Sequence, residues 1–488
     1  MTVGDITVPL PIEPILPRLS ATLATQNAAV LVAPPGAGKS TRVPLALLNE
    51  PWLRGQRILL LEPRRLAARS AARYMAQCLD EPVGETVGYR VRLDSKVSPR
   101  TRVEVITEGV LTRLLQSDPA LEGVGLVIFD EFHERSLQAD LGLALSLQSQ
   151  SLLREDLRLL VMSATLEAEA VAALLSDAPV IVSEGRSYPV ETRYLPLPVT
   201  GRVEPVVVRT ILDSLRQEPG DLLIFLPGAG EIRRVEAELR SSGLGPDVRI
   251  APLYGNLSTE AQDTAILPSP TGSRKVVLAT AIAQTSLTVE GVRVVIDSGL
   301  MRLPRFSPRT GMTRLETVPV SRAAADQRRG RAGRVAPGIC YRLWPEQADR
   351  HLLPQSPPEI LAADLLPLAL ELAIWGVPDP QALRWLDPPP AAAMSQARTL
   401  LQELGALSRD GSVTPHGRQM AELGLHPRLA HMLLRAIPLG HGALACELAA
   451  LLSERDIFRN DALAPDADLR LRVLALRGVG DYAVDTGA

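Results

Sequence analysis

From the start of the chain to about residue 345, short apolar runs of strand length alternate with helical stretches. That alternation admits little besides parallel sheets covered by helices. The runs fall at residues 29–33, 57–62, 103–107, 125–130 and 157–163, then at 221–226, 248–253, 275–279, 292–297 and 339–343. Two α/β units are the economical reading, joined near residues 180–200, where the Pro-bearing stretch 188–199 breaks helical periodicity. After Pro345 the pattern changes. Residues 359–488 are helical and rich in Leu and Ala, with one hairpin-like interruption at 406–415, which suggests a small winged-helix unit and then a helical bundle. The expected division is 1–180, 181–350, 351–425 and 426–488, the last part incomplete.

A net charge of −3 rules out a general polycation, so any nucleic-acid site has to be a local groove. No run approaches the roughly 18 apolar residues of a membrane span, and the acidic, Pro-rich start lacks a basic region followed by an apolar one. A cytoplasmic protein without membrane contact is expected. Cys78, Cys340 and Cys446 lie far apart in apolar surroundings and read as reduced core residues. The six histidines show no metal-ligand spacing, and only His133 falls inside a motif. Lysine occurs only at Lys39, Lys96 and Lys275, so where one stands is informative.

Lys39 stands in Ala33-Pro34-Pro35-Gly36-Ala37-Gly38-Lys39-Ser40-Thr41, between a predicted strand and a helical run, the context a phosphate-binding loop requires. The glycines let backbone N–H groups close on phosphate, Lys39 neutralises it, and Ser40 offers its hydroxyl to Mg²⁺. The fourth predicted strand ends in Asp130-Glu131-Phe132-His133-Glu134-Arg135, at the sheet edge where ligands bind. Asp130 is expected to hold Mg²⁺ and Glu131 to position the attacking water, the division of labour phosphoryl transfer needs. An ordinary turn would explain the loop alone, and a helix-capping acid either carboxylate alone; the combination points to nucleotide hydrolysis.

In the second unit, Asp326-Gln327-Arg328-Arg329-Gly330-Arg331-Ala332-Gly333-Arg334 is dense in charge. Arginines three apart share a helical face, so Arg331 and Arg334 are placed to reach a γ-phosphate together. Residues 302–334 hold nine arginines against Glu316 and Asp326, the positive density that nucleic acid would meet. Aromatics make up 3% of residues, so contact through phosphate and sugar is expected rather than base stacking. Residues 303–318 read as a β-hairpin around Ser307-Pro308-Arg309-Thr310-Gly311, with Arg305 and Arg309 suited to phosphate.

With Leu61-Glu-Pro-Arg-Arg-Leu-Ala-Ala-Arg69, Thr107-Glu-Gly-Val-Leu-Thr-Arg113, Ser163-Ala-Thr165, Leu223-Ile-Phe-Leu-Pro-Gly228 and Thr280-Ala-Ile-Ala-Gln-Thr-Ser-Leu-Thr288 added in order, the chain resembles superfamily 2 helicases of the DEAH/RHA group, most closely the bacterial HrpB family. The resemblance covers nearly the whole chain. It implies an α/β protein of two tandem RecA-like parallel-sheet domains with ATP between them, then a winged-helix domain and a helical ratchet domain. It also implies movement 3′ to 5′ on single-stranded RNA, or on a duplex with a 3′ overhang, and a monomer. By the same resemblance Arg64, Arg65, Thr107, Glu108, Gly109 and Thr285 contact RNA. His133, Ser163, Ala164 and Thr165 couple hydrolysis to unwinding, Gln327 meets the γ-phosphate or water, and Asp297 joins the nucleotide-binding set. Ala281 and Gln284 stand where many relatives have Asn and Glu, and Leu300 where relatives often have an aromatic. A DNA helicase or translocase, or an ATP-gated RNA clamp, would share the ATPase residues. RNA-versus-DNA stimulation of hydrolysis and strand displacement separate the three.

Overall fold

A computed structural model describes residues 10–164, 168–185, 188–255, 257, 259–270, 272–284, 289–454, 456–458 and 467–479. The first α/β unit is an eight-stranded sheet built from β1 (Ala28–Val32), β2 (Arg57–Glu62), β3 (Val87–Val91), β4 (Asp94–Lys96), β5 (Val103–Thr107), β6 (Val124–Phe129), β7 (Arg158–Ser163) and β8 (Val180–Val182). Its order is β4-β3-β5-β2-β6-β7-β1-β8, parallel except where β4 meets β3. β1 and β6 are buried end to end, which is why they read as unbroken apolar runs.

The second sheet uses β9 (Val190–Tyr194), β10 (Asp221–Phe225), β11 (Val248–Leu253), β12 (Arg274–Ala279) and β13 (Val292–Asp297). An antiparallel hairpin of β14 (Leu300–Ser307) and β15 (Met312–Pro319) follows, and β16 (Gly338–Arg342) returns to the sheet. The order is β11-β12-β10-β13-β16-β9, parallel throughout. Leu222, Ile224, Val276 and Ile296 pack with Ile211 and Val235 of the covering helices in one core layer.

Three boundaries differ from expectation. β8 pairs with β1, so the first unit continues past residue 180. The stretch 188–199, expected as a connector, supplies the edge strand β9; it pairs along one side only and has no fully buried residue, so it lacks an apolar run. Residues 352–363 stay with the α/β part, as when Arg322 N donates to Leu353 O and Glu359 N to Arg135 O. The separate C-terminal unit comprises residues 364–383 and 388–488. It contains helices Leu366–Ile374, Ala391–Glu403, Pro415–Glu422, Pro427–Ala436, Gly442–Ser453 and Leu469–Leu476, with Leu407 and Val413 bridged as a minimal wing. Of the cysteines only Cys340 is a core residue; Cys78 and Cys446 are exposed, because each lies on the solvent side of its helix. Among the described residues no helix is long and apolar enough to cross a membrane.

Candidate active site

β1 delivers the chain to the sheet's C-terminal edge, where Ala33 N donates to Ser163 O at the end of β7 (3.0 Å). The next turn needs positive φ at Gly36 (+84°) and Gly38 (+92°), which side chains resist. Helix Lys39–Leu47 begins at once, aiming its unpaired first amides into the loop of Pro35, Gly36, Ala37 and Gly38. A Cβ on Gly36 would lie 3.3 Å from the guanidinium carbon of Arg334, so the second α/β unit closes directly on this loop.

β6 ends beside it. Lys39 Nζ donates to Glu131 Oε1 at 2.7 Å and lies 3.3 Å from Asp130 Oδ1, with all three side chains buried. Ser40 Oγ donates to Asp130 Oδ2. Glu131 itself takes a left-handed φ of +50°, a strained conformation held by its surroundings. Burial works against the Lys39 charge, yet Asp130 and Glu131 hold its pKa above the ordinary value. Burial would raise Glu131, but Lys39, then His133, pull it down to about 2, so it is a carboxylate throughout the neutral range. Burial outweighs Lys39 at Asp130, whose pKa is raised. Ser40 and Asp130, oxygen against oxygen in the floor of the loop, fit a hard divalent cation such as Mg²⁺.

Arg331 and Arg334 come from the 3₁₀ turn Arg331–Gly333 and its end, not from the face of a helix as their spacing suggested. Burial pushes Arg331 well below its usual pKa, with Arg334 adding to the effect, and pushes Arg334 down to about 10. Buried Arg331 and half-buried Arg334, with Glu131 as the neighbouring anion, form a pocket suited to a polyanion such as a triphosphate.

A hydrogen-bonded seam crosses between the two α/β units. His133 Nε2 lies 2.7 Å from Gln327 Nε2, and Gln327 Oε1 accepts from Gln284 Nε2 at 2.9 Å. Gln284 Oε1 accepts from Arg328 Nε at 3.2 Å, and Arg328 is locked to Asp297 Oδ1 at 2.7 Å and stacked on Phe225. Asp297, expected at the nucleotide, is instead fully buried, accepting from Arg328 and from Gly299 N. It anchors the seam because a buried carboxylate requires a buried cation. The sequence names Gln284 and Arg328 within its motifs but assigns neither a role. Arg328 is three residues before Arg331, so the rule that selected the arginine pair pointed to it as well. Glu62, at the end of β2, is likewise without an assigned role; burial, then Asp130 and Glu131, raise its pKa well above the usual range.

The expected RNA contacts divide. Arg64 and Arg305 line one cavity of about 370 Å³ with His133, Gln284 and Gln327, beyond the seam from Lys39. Arg64 already donates to Glu134 (2.9 Å) and, across the cleft, to Ile282 O (3.3 Å). Arg65 and Gly109 are exposed, and Thr107 is half-buried where helix Glu108–Ser117 begins. Glu108 accepts from Ser136 Oγ at 2.5 Å, and burial, against that bond and with Glu134 and Glu359 nearby, pushes its carboxyl up to about 7. Arg305 pairs with Glu316 across the hairpin, and Arg309 is exposed at its turn. Ser163 ends β7 and Ala164 follows it, with Ala164 N donating to His133 Nδ1 at 3.3 Å. Thr165 and Thr285 lie outside the described residues.

Residues 17–174 match the DEAD/DEAH box helicase family and residues 206–336 the helicase conserved C-terminal domain. Residues 397–425 match the winged-helix of the helicase associated domain (HA2). The chain is 53% identical over 445 residues to the ATP-dependent RNA helicase HrpB of Escherichia coli, covering 91% of this chain and 55% of the relative. It is 37% identical to the pre-mRNA-splicing factor ATP-dependent RNA helicase prp22 of Schizosaccharomyces pombe, covering 92% of this chain and 39% of that protein. The chain thus spans about half the length of the curated relatives it matches, or less. A crystal structure of the E. coli DEAH/RHA helicase HrpB superposes with a TM-score of 0.88 at 50% identity, over 96% of this chain and 61% of that one. A second, of the E. coli DExH-box NTPase HrpB, gives 0.84 at 49%, over 99% and 60%.

Proposed function

The chain carries the DEAD/DEAH-box and helicase C-terminal domains of the DEAH/RHA group, and on that premise we propose that it is an ATP-dependent RNA helicase. The finer proposal is that hydrolysis drives movement 3′ to 5′ on single-stranded RNA and the unwinding of duplexes that carry a 3′ overhang. The observation that carries the hydrolytic part is the meeting of Lys39, Asp130 and Glu131 with Arg331 and Arg334 where the two α/β units close. In it Lys39 and the loop amides bind the phosphates, and the two arginines stabilise charge that develops on the transferred group. Glu131, already ionised, orients and accepts a proton from water. Ser40 and Asp130 would hold Mg²⁺, which spreads the phosphate charge when bound.

RNA as the polymer is supported by the names of the two relatives and by Arg64 and Arg305 sharing a cavity beside the seam. The test is ATPase rate with and without single-stranded RNA, and with DNA in its place. Lys39→Ala is expected to lose nucleotide binding. Glu131→Gln should keep binding and lose hydrolysis by about 10²- to 10⁴-fold, since only Lys39 contacts phosphate in the ground state. Turnover retained in Glu131→Gln would overturn the assignment.

A further inference from the structure

We propose that Gln284 sets the direction of the hydrogen-bond chain from Arg328 to His133, so that the imidazole offers its Nδ1–H to Glu131 instead of accepting from Ala164. This makes Gln284 a positioning residue, and it rests on Glu131 being the hydrolytic carboxylate. The direction follows from what each group can do. Arg328 Nε is only ever a donor, and its guanidinium is held by Asp297 and buried, so the atom of Gln284 that faces it at 3.2 Å must be the amide oxygen. The Gln284 nitrogen then donates to Gln327 Oε1 at 2.9 Å. That leaves the Gln327 NH₂ facing His133 Nε2 at 2.7 Å, and an imidazole nitrogen facing a donor must be bare. Neutral His133 therefore carries its hydrogen on Nδ1.

Nδ1 has two neighbours of opposite kind. Glu131 Oε2 is 3.5 Å away, buried and without a hydrogen-bond partner among the described residues. Ala164 N donates to Nδ1 at 3.3 Å, a bond that a hydrogen on Nδ1 would break. A protonated Nδ1 can serve only the carboxylate. His133 is thereby tied to the hydrolytic group, and the backbone of the segment after β7 is released from it.

A carboxylate at 284 would reverse every link. It has no hydrogen to give, so it would accept from Arg328 and from Gln327, whose amide would turn over. The Gln327 oxygen would then face His133 Nε2, which would have to carry the hydrogen, and bare Nδ1 would accept from Ala164. One amide-for-acid difference thus decides whether His133 is attached to the hydrolytic carboxylate or to the segment after β7.

The test is the ring protonation of His133, read near pH 8 by long-range ¹H–¹⁵N correlation on the full chain labelled at histidine nitrogen, with its signals assigned by their loss in His133→Asn. The wild type should show Nδ1–H, Gln284→Glu should show Nε2–H, and Gln284→Leu, which cuts the chain, should show both forms. Nε2–H in the wild type, the same tautomer in wild type and Gln284→Glu, or an unchanged tautomer in Gln284→Leu would each overturn the proposal. If Gln284→Glu does not fold, the wild-type tautomer decides alone. These spectra need no turnover, so they fail or succeed independently of Glu131→Gln hydrolysis.

Discussion

Lys39 and Glu131 are 92 residues apart in sequence and end 2.7 Å apart, while the nine arginines of residues 302–334 are sequence neighbours and finish scattered. Arg302 pairs with Glu231, Arg305 and Arg314 with Glu316, and Arg322 and Arg329 donate to backbone carbonyls. Arg302 and Arg305 also line the cavity beside the seam, while Arg328, Arg331 and Arg334 turn inward at the cleft. Density of charge along a chain is therefore a poor guide to density in space. Strand ends of a parallel sheet converge on one edge by construction, whereas a hairpin alternates its side chains between two faces.

The largest effect that tests this contrast is on hydrolysis. Arg334→Ala is expected to lower RNA-stimulated kcat on the order of 10³-fold, by removing a charge aimed at the transition state, while Arg309→Ala stays within about twofold. Equal losses in steady-state assays would erase the distinction between cleft and surface arginines. Next is stability. Arg328→Leu leaves Asp297 buried and unpaired, and should cost about 3 to 5 kcal/mol, read as a lowered denaturation midpoint. A change below about 1 kcal/mol, the typical worth of a surface pair, would place Arg328 with the scattered arginines.

A smaller effect concerns Glu108, whose carboxyl is raised from 4.5 to about 7. The folded state holds a proton that the unfolded chain releases near 4.5, so stability declines as pH rises from there and the loss is complete above about 7. Glu108→Gln should therefore raise the melting temperature at pH 8, by an amount equivalent to about 1 to 3 kcal/mol, and leave it unchanged at pH 4. A gain of equal size at both values would mean that the side chain's shape, not its charge, matters. Least visible in hydrolysis is the hairpin. Replacing residues 307–311 with Asn-Gly should leave RNA-stimulated ATPase near wild type while unwinding per ATP falls, because none of the groups at Lys39 is touched. Unchanged unwinding would make the hairpin a connector.

The central strands, the loop around Lys39 and the carboxylates after β6 were legible because each is specified by residues adjacent in sequence. Strands buried on both faces need unbroken apolar runs, and a phosphate loop needs its glycines and lysine at fixed spacing. β3, interrupted by Gly88 and Arg90, three-residue β8 and half-exposed β9 carry no such signature. Nor could the sequence say that Asp297 faces Arg328 instead of a nucleotide, that Cys78 and Cys446 face solvent, or that Gln284 lies between Gln327 and Arg328. Those facts depend on which segments distant in sequence become neighbours. For a buried polar group the partner it meets decides what it does: a carboxylate facing a guanidinium becomes an anchor, and an amide facing one has its orientation fixed. Sequence determined which groups are available, and packing of the two α/β units determined which of them meet.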